Sequence, residues 1–120
     1  MFEVTVTKRF RAVHALGNYR GKDEPPHEHG WRCDATIEAE ALDVSGCAVD
    51  FAEVDAAFES ALSSVSGGDL NRALAGESPS AENVSRYVFR KISAAINSAA
   101  RRVVRVTTWE DADHSASYFE

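Results

Sequence analysis

The chain has 120 residues and a mass of 13.1 kDa, with 44% hydrophobic and 27% charged residues, which fits one globular domain over 1–120 and leaves no room for a second. Three prolines and seven glycines are scattered along it without repeats or charge blocks, so collagen, solenoid and linker architectures are excluded. Thirteen Lys and Arg against nineteen Asp and Glu give a net charge of −6 with no basic face, which argues against nucleic acid as a partner. No run of about 18 apolar residues occurs, so no membrane association is expected. The N-terminus alternates apolar and polar residues where a signal peptide needs a continuous apolar core, and the expected location is cytoplasmic. Cys33 and Cys47 lack metal or redox spacing and read as thiols in a reducing compartment.

In chain order, residues 2–16 place Phe2, Val4, Val6, Phe10, Ala12, His14 and Leu16 on one face and Glu3, Thr5, Thr7, Arg9 and Arg11 on the other, the period of a half-buried strand. A breaker-rich loop, Gly17 to Pro26, leads to a second strand over Trp31–Leu42, with Trp31, Cys33, Ala35, Ile37, Ala39 and Ala41 inward. Asp50 and Glu53 form a capping box before Phe51, Val54, Phe58, Leu62 and Val65, an amphipathic helix ended by Gly67-Gly68. Ser80 caps a second helix with the stripe Val84, Val88, Ile92, Ala95 and Ile96. Val103 to Glu110 alternates again, with Val104, Val106 and Thr108 on one side, and Asp111-Ala112-Asp113 turns it into a last strand, His114–Phe119. The order β-β-α-α-β-β predicts an α+β domain: a four-stranded antiparallel sheet with two helices on one face and open edges suited to oligomerisation.

Residues i and i+2 of a strand point the same way, so His27 and His29 present two imidazoles on the side of Trp31. If the first two strands pair, His14 supplies a third nitrogen, and three neutral imidazoles with an open fourth position describe a catalytic zinc site. The competing reading is three hydrogen-bonded core histidines.

Further motifs decide between these. Phe10-Arg11-Ala12-Val13-His14, His27-Glu28-His29-Gly30-Trp31, Val49-Asp50-Phe51, Leu70-Asn71 and Pro79-Ser80-Ala81-Glu82-Asn83 occur in that order, followed by Glu110 after the third strand. This series resembles the 6-pyruvoyltetrahydropterin synthase and 6-carboxytetrahydropterin synthase family of the tunnelling fold (T-fold), with Glu28 where the family usually has Gly. The resemblance implies Zn2+ on His14, His27 and His29. It implies Glu110 as the carboxylate that accepts the paired N–H donors of a pterin ring, with Ser80, Thr107 and Thr108 lining the pocket. It implies a homo-oligomer, trimers closing into a barrel and pairing into hexamers.

The sequence also departs from the family pattern. Asp23 stands where the commonest members carry a catalytic cysteine, and no Asp-His pair precedes Leu70-Asn71, so His114 would have to come from the last strand to replace it. Glu24, three residues before His27, resembles a variant branch in which Glu-x-x-His replaces the cysteine motif, which makes Glu24 the candidate base with Asp23 beside it. The expected activity is a zinc-dependent lyase acting on a dihydropterin such as dihydroneopterin triphosphate, in queuosine, biopterin or folate chemistry. A non-catalytic zinc and pterin binder, and a zinc enzyme with another small substrate, stand as the alternatives.

Overall fold

Apolar and polar alternation becomes two long antiparallel strands, β1 (Phe2–His14) and β2 (His27–Ala39), in the computed structural model, which describes residues 1–120. The chain continues through α1 (Phe51–Leu62), a one-turn α2 (Leu70–Ala73) and α3 (Ala81–Ile96) to β3 (Arg101–Trp109) and β4 (Ser115–Phe119). All four strands pair antiparallel in the order β1-β2-β3-β4, and the helices pack over one face. This is the expected α+β arrangement with one helix more. Asp69 makes that helix by accepting the Asn71 N–H at 2.9 Å, and a single turn is too short to show a period.

The core lies between sheet and helices, where Trp31, Cys33, Ala35 and Ile37 of β2 meet Val54 and Phe58 of α1 and Val84, Val88 and Ile92 of α3. Burying a side chain such as Phe58 or Ile92 contributes about 1.5–3 kcal/mol. The inward phase of β1 includes Lys8, whose ammonium reaches Asp55 at 3.1 Å and Glu59 at 3.8 Å on α1, so its charge stays paired at the core's rim.

Several boundaries and phases differ from expectation for identifiable reasons. β2 starts at His27 and stops at Ala39, because β1 pairs with it from His14↔His27 to Phe2↔Ala39. Its register with β3 slips between Thr36, opposite Arg105, and Ile37, opposite Val103; Val104 is the extra residue, and Val103 takes the core position that simple alternation gives to Val104. In α1, Asp50 caps the Ala52 amide as expected, but Glu53 pairs with Arg101 of β3 in place of closing the box. Phe51 is exposed and Ala61 buried. In α3, Ser85 and Phe89 are buried and Ala95 is exposed, because the helix turns the side below Val88 toward β3 and β4.

Candidate metal centre

Strand pairing assembles the centre. His14 closes β1, His27 opens β2, and the register sets them directly opposite, while His29 faces Ala12 two residues further along on the same side. The three rings pack edge to face, with centroids 4.6 Å (His14–His27), 5.1 Å (His14–His29) and 4.7 Å (His27–His29) apart. One ring nitrogen from each lies within 4.8 Å of the others. Trp31 forms the floor, edge-on to His14 at 4.9 Å and to His29 at 5.5 Å, and its indole N–H is spent on the Ala12 carbonyl. Where the chain leaves His14, Asn71 fixes it by bonding both the N–H and the C=O of Ala15 at 2.8 Å.

Backbone carbonyls fix the tautomers. His14 Nδ1 lies 2.8 Å from the Pro79 carbonyl and His27 Nδ1 lies 2.9 Å from the Pro25 carbonyl. A carbonyl only accepts, so both Nδ1 atoms carry the proton and both Nε2 atoms of the neutral rings present lone pairs. Those Nε2 atoms face each other at 2.9 Å. His29 Nε2 is buried with no hydrogen-bond partner, and burial, outweighing the opposing attraction of Glu110, holds its pKa below the ordinary histidine value. Converging lone pairs and an orphaned buried nitrogen repel unless a cation sits among them. The donor set therefore fits a metal ion, with carbonyls behind two ligands as orienting partners.

Two carboxylates flank the triad. Glu110, first residue after β3, brings Oε1 to 3.1 Å from His14 Nε2 and 3.9 Å from His29 Nε2. Glu24 places Oε1 3.7 Å from His27 Nε2, held there by the Leu16 N–H at 3.2 Å. Asp23 makes no ion-pair contact with the triad: its Oδ1 accepts the Asn18 N–H within the loop, where Asn18, Arg20 and Gly21 all take positive φ. Ser80, the α3 cap, shares a cavity of about 190 Å³ with Leu16, Glu110 and His114.

His114 is exposed and bonds the Asp111 carboxylate through Nδ1 at 2.8 Å, which raises its pKa. Asp111, expected only as a turn residue, thus gives His114 an acidic partner. Thr108 does not line the pocket. It is fully buried beneath α3, its hydroxyl bonded to Ser85 at 2.7 Å and 3.3 Å from Cys33 Sγ, and the Cys33 thiol is pushed up to about 12 by that burial. Thr107 lies on the opposite sheet face, bonded to Ser117. Glu28 pairs with Arg11 away from the triad, so a glutamate in that motif position leaves the centre untouched. The orienting carbonyls of Pro25 and Pro79 carry no sequence signal of their own, since every residue has a carbonyl, although both prolines sit inside or beside the motifs of the series.

A protein-family model described as 6-pyruvoyl tetrahydropterin synthase matches residues 3–120. Among solved structures, the chain is similar to Caenorhabditis elegans 6-pyruvoyl tetrahydropterin synthase, with a TM-score of 0.86 and 18% identity over 99% of this chain and 95% of that one. It is also similar to the Plasmodium vivax synthase, at 0.82 and 12% over 99% and 97%. A P. vivax variant in which a glutamate described as a catalytic residue is changed to alanine matches at 0.79 and 11%, over 99% and 97%. No curated protein gives a significant sequence match.

Proposed function

Because the chain belongs to the 6-pyruvoyl tetrahydropterin synthase family, we propose that it is a zinc-dependent lyase whose substrate is a dihydropterin bearing a hydroxylated or phosphorylated side chain, dihydroneopterin triphosphate being the first to try. The observation that carries this reading is the convergence of the three imidazole rings, two of them with Nε2 lone pairs face to face, between two carboxylates, Glu110 and Glu24. Zinc held by His14, His27 and His29 would supply Lewis-acid polarisation of side-chain oxygens and acidify the neighbouring C–H or O–H.

The chain's own groups do the rest. Glu110 accepts the paired N–H donors of the ring and orients it across the cavity shared with Ser80. Glu24 moves the proton. It stands beside His27, its carboxylate is positioned by the Leu16 amide, and Pro25-Pro26 stiffen its link to the ligand strand. The catalytic glutamate of the P. vivax relative supports a carboxylate in this role. His114, with Asp111 behind it, borders the same cavity and relays a proton to solvent. Asp23, spent on the Asn18 amide, takes no part.

The unpaired edges of β1 and β4 support a homo-oligomer built through the sheet, with trimers and hexamers the expected sizes. No helix is long and apolar enough to cross a membrane.

One observation favours a second reading, a zinc and pterin binder without turnover: Asp23 stands where the commonest relatives carry their catalytic cysteine, and its carboxylate is engaged by the Asn18 amide. Incubating the zinc-loaded protein with dihydroneopterin triphosphate and reading products by mass spectrometry separates the two. A shortened pterin side chain establishes the lyase. Tight binding with unchanged substrate establishes the binder, and neither binding nor turnover on any dihydropterin refutes both.

A further inference from the structure

Glu110 lies closer to the histidines than a ring anchor alone requires. A tetrahedral ion with bonds of about 2.0–2.1 Å holds its donor atoms about 3.3 Å apart. Three of the observed separations lie near that edge length, 2.9 Å for His14 Nε2 to His27 Nε2, 3.1 Å for His14 Nε2 to Glu110 Oε1, and 3.9 Å for His29 Nε2 to Glu110 Oε1, so the carboxylate approaches two of the three imidazoles while His27 has Glu24 beside it. The two neighbouring carboxylates also differ in what else they do. Glu24 Oε1 is committed to the Leu16 N–H. The Glu110 carboxylate, 31% exposed, is fixed by no hydrogen bond from the chain and has the His14 and His29 nitrogens beside it. A carboxylate oxygen set 3.1 Å from the lone pair of His14 Nε2 is repelled unless a cation lies between them.

We infer that Glu110 is the fourth ligand of the resting metal centre and that a bound pterin ring draws it off, opening that position to the substrate's side chain. This rests on the metal-centre reading above. The geometry makes the exchange feasible, because Glu110 also lines the cavity with Leu16, Ser80 and His114, so rotation of its side chain carries the carboxylate from the triad to a ligand there. A ring presenting two adjacent N–H donors offers a bidentate partner in exchange for the metal. One side chain then serves two sites in turn, and metal and ring are coupled. A ring lacking side-chain oxygens must detach Glu110 without replacing it, so metal should oppose its binding. A ring that brings oxygens refills the position, so metal should favour it.

Three measurements test this. In chelator competition, Glu110→Gln should weaken zinc binding at least about 10-fold, while Glu24→Gln stays within about twofold. In the cobalt-substituted protein, Glu110→Gln should shift the visible ligand-field band before any pterin is added, and dihydroneopterin should shift the band of the parent. By calorimetry, pterin without a side chain should bind the zinc-loaded parent more weakly than the metal-free parent, with the difference gone in Glu110→Gln. Glu110→Asp, which keeps the charge but shortens the reach, repeats the test if circular dichroism shows the Gln variant misfolded.

Zinc affinity and cobalt band unchanged in Glu110→Gln, with pterin affinity lost, overturn the inference and leave the ring-anchor reading standing. Weakening by Glu24→Gln alone assigns the fourth ligand to the other carboxylate and overturns it as well. A parent that binds no metal overturns the metal-centre reading and this inference with it.

Discussion

His29→Leu should reverse its effect on stability when metal is added. In the metal-free chain His29 Nε2 is buried without a partner, and an unsatisfied polar atom of this kind costs about 1–3 kcal/mol. Leucine removes that atom and keeps most of the volume, but it gives up the edge-on packing against Trp31 and His14, about 0.5–1.5 kcal/mol. The variant in chelator should therefore be as stable as the parent or up to about 2 kcal/mol more stable. With zinc at 100 times its dissociation constant, the parent gains about 2.7 kcal/mol, roughly 10 °C in melting midpoint for a domain of this size. The variant, left with two of three imidazoles, should gain far less. Melting curves of both proteins with EDTA and with zinc, followed by circular dichroism, give all four numbers. A variant more than about 1 kcal/mol less stable than the parent in EDTA would show that His29 is an ordinary packed histidine, and the argument from its orphaned nitrogen would fail.

Metal affinity should fall as pH drops below about 6.5, because protons compete for the same Nε2 lone pairs, and chelator competition between pH 5.5 and 8 measures it. The metal-free fold should lose stability over the same descent: burial depresses the His29 pKa, so the unfolded chain takes up its proton first and the balance tips toward unfolding. Glu24→Gln should retain zinc and pterin binding while lowering turnover about 10²–10⁴-fold in single-turnover assays, and full activity would remove Glu24 as the base. Of the two cysteines, only Cys47 should react with a thiol reagent in the folded protein, since Cys33 is buried with its thiol pushed up to about 12; two equivalents labelled without denaturant would contradict the packing.

The parts of this molecule legible from its sequence are those governed by one local period. Strand alternation put His14, His27 and His29 on the core face, because successive side chains of any strand alternate and each of these segments keeps its phase. What local period cannot carry is a choice between equivalent neighbours. Val103 and Val104 are the same residue, so a one-residue bulge exchanges their places without altering composition. Glu53 could close a capping box or meet Arg101, and only the folded chain brings Arg101 near. Thr108 sits on the inward phase of β3, and its burial depends on Ser85 reaching it across the packed face of α3. Asp69 lies near the place of the absent Asp-His pair but out of register with it. It is the cap of a helix too short for periodicity to reveal.

The site binds these levels together through the segment Pro79–Asn83. Its serine caps α3, its asparagine ties back to the Ser78 carbonyl, and its proline carbonyl receives the His14 Nδ1 proton. The same serine lines the cavity into which Glu110 opens. Ligand orientation on β1 is thus set by a helix start 65 residues away in sequence, not by β1 itself. Pro25 plays the equivalent part for His27 from only two residues away. One imidazole is oriented by tertiary packing and the other by local chain geometry, and their lone pairs meet at 2.9 Å only when both are satisfied. Helix, loop and strand therefore have to be in place before the three nitrogens converge. A metal that binds the converged set stabilises that whole arrangement, so the chemistry of the site and the packing of the fold are linked through the orientation of two rings.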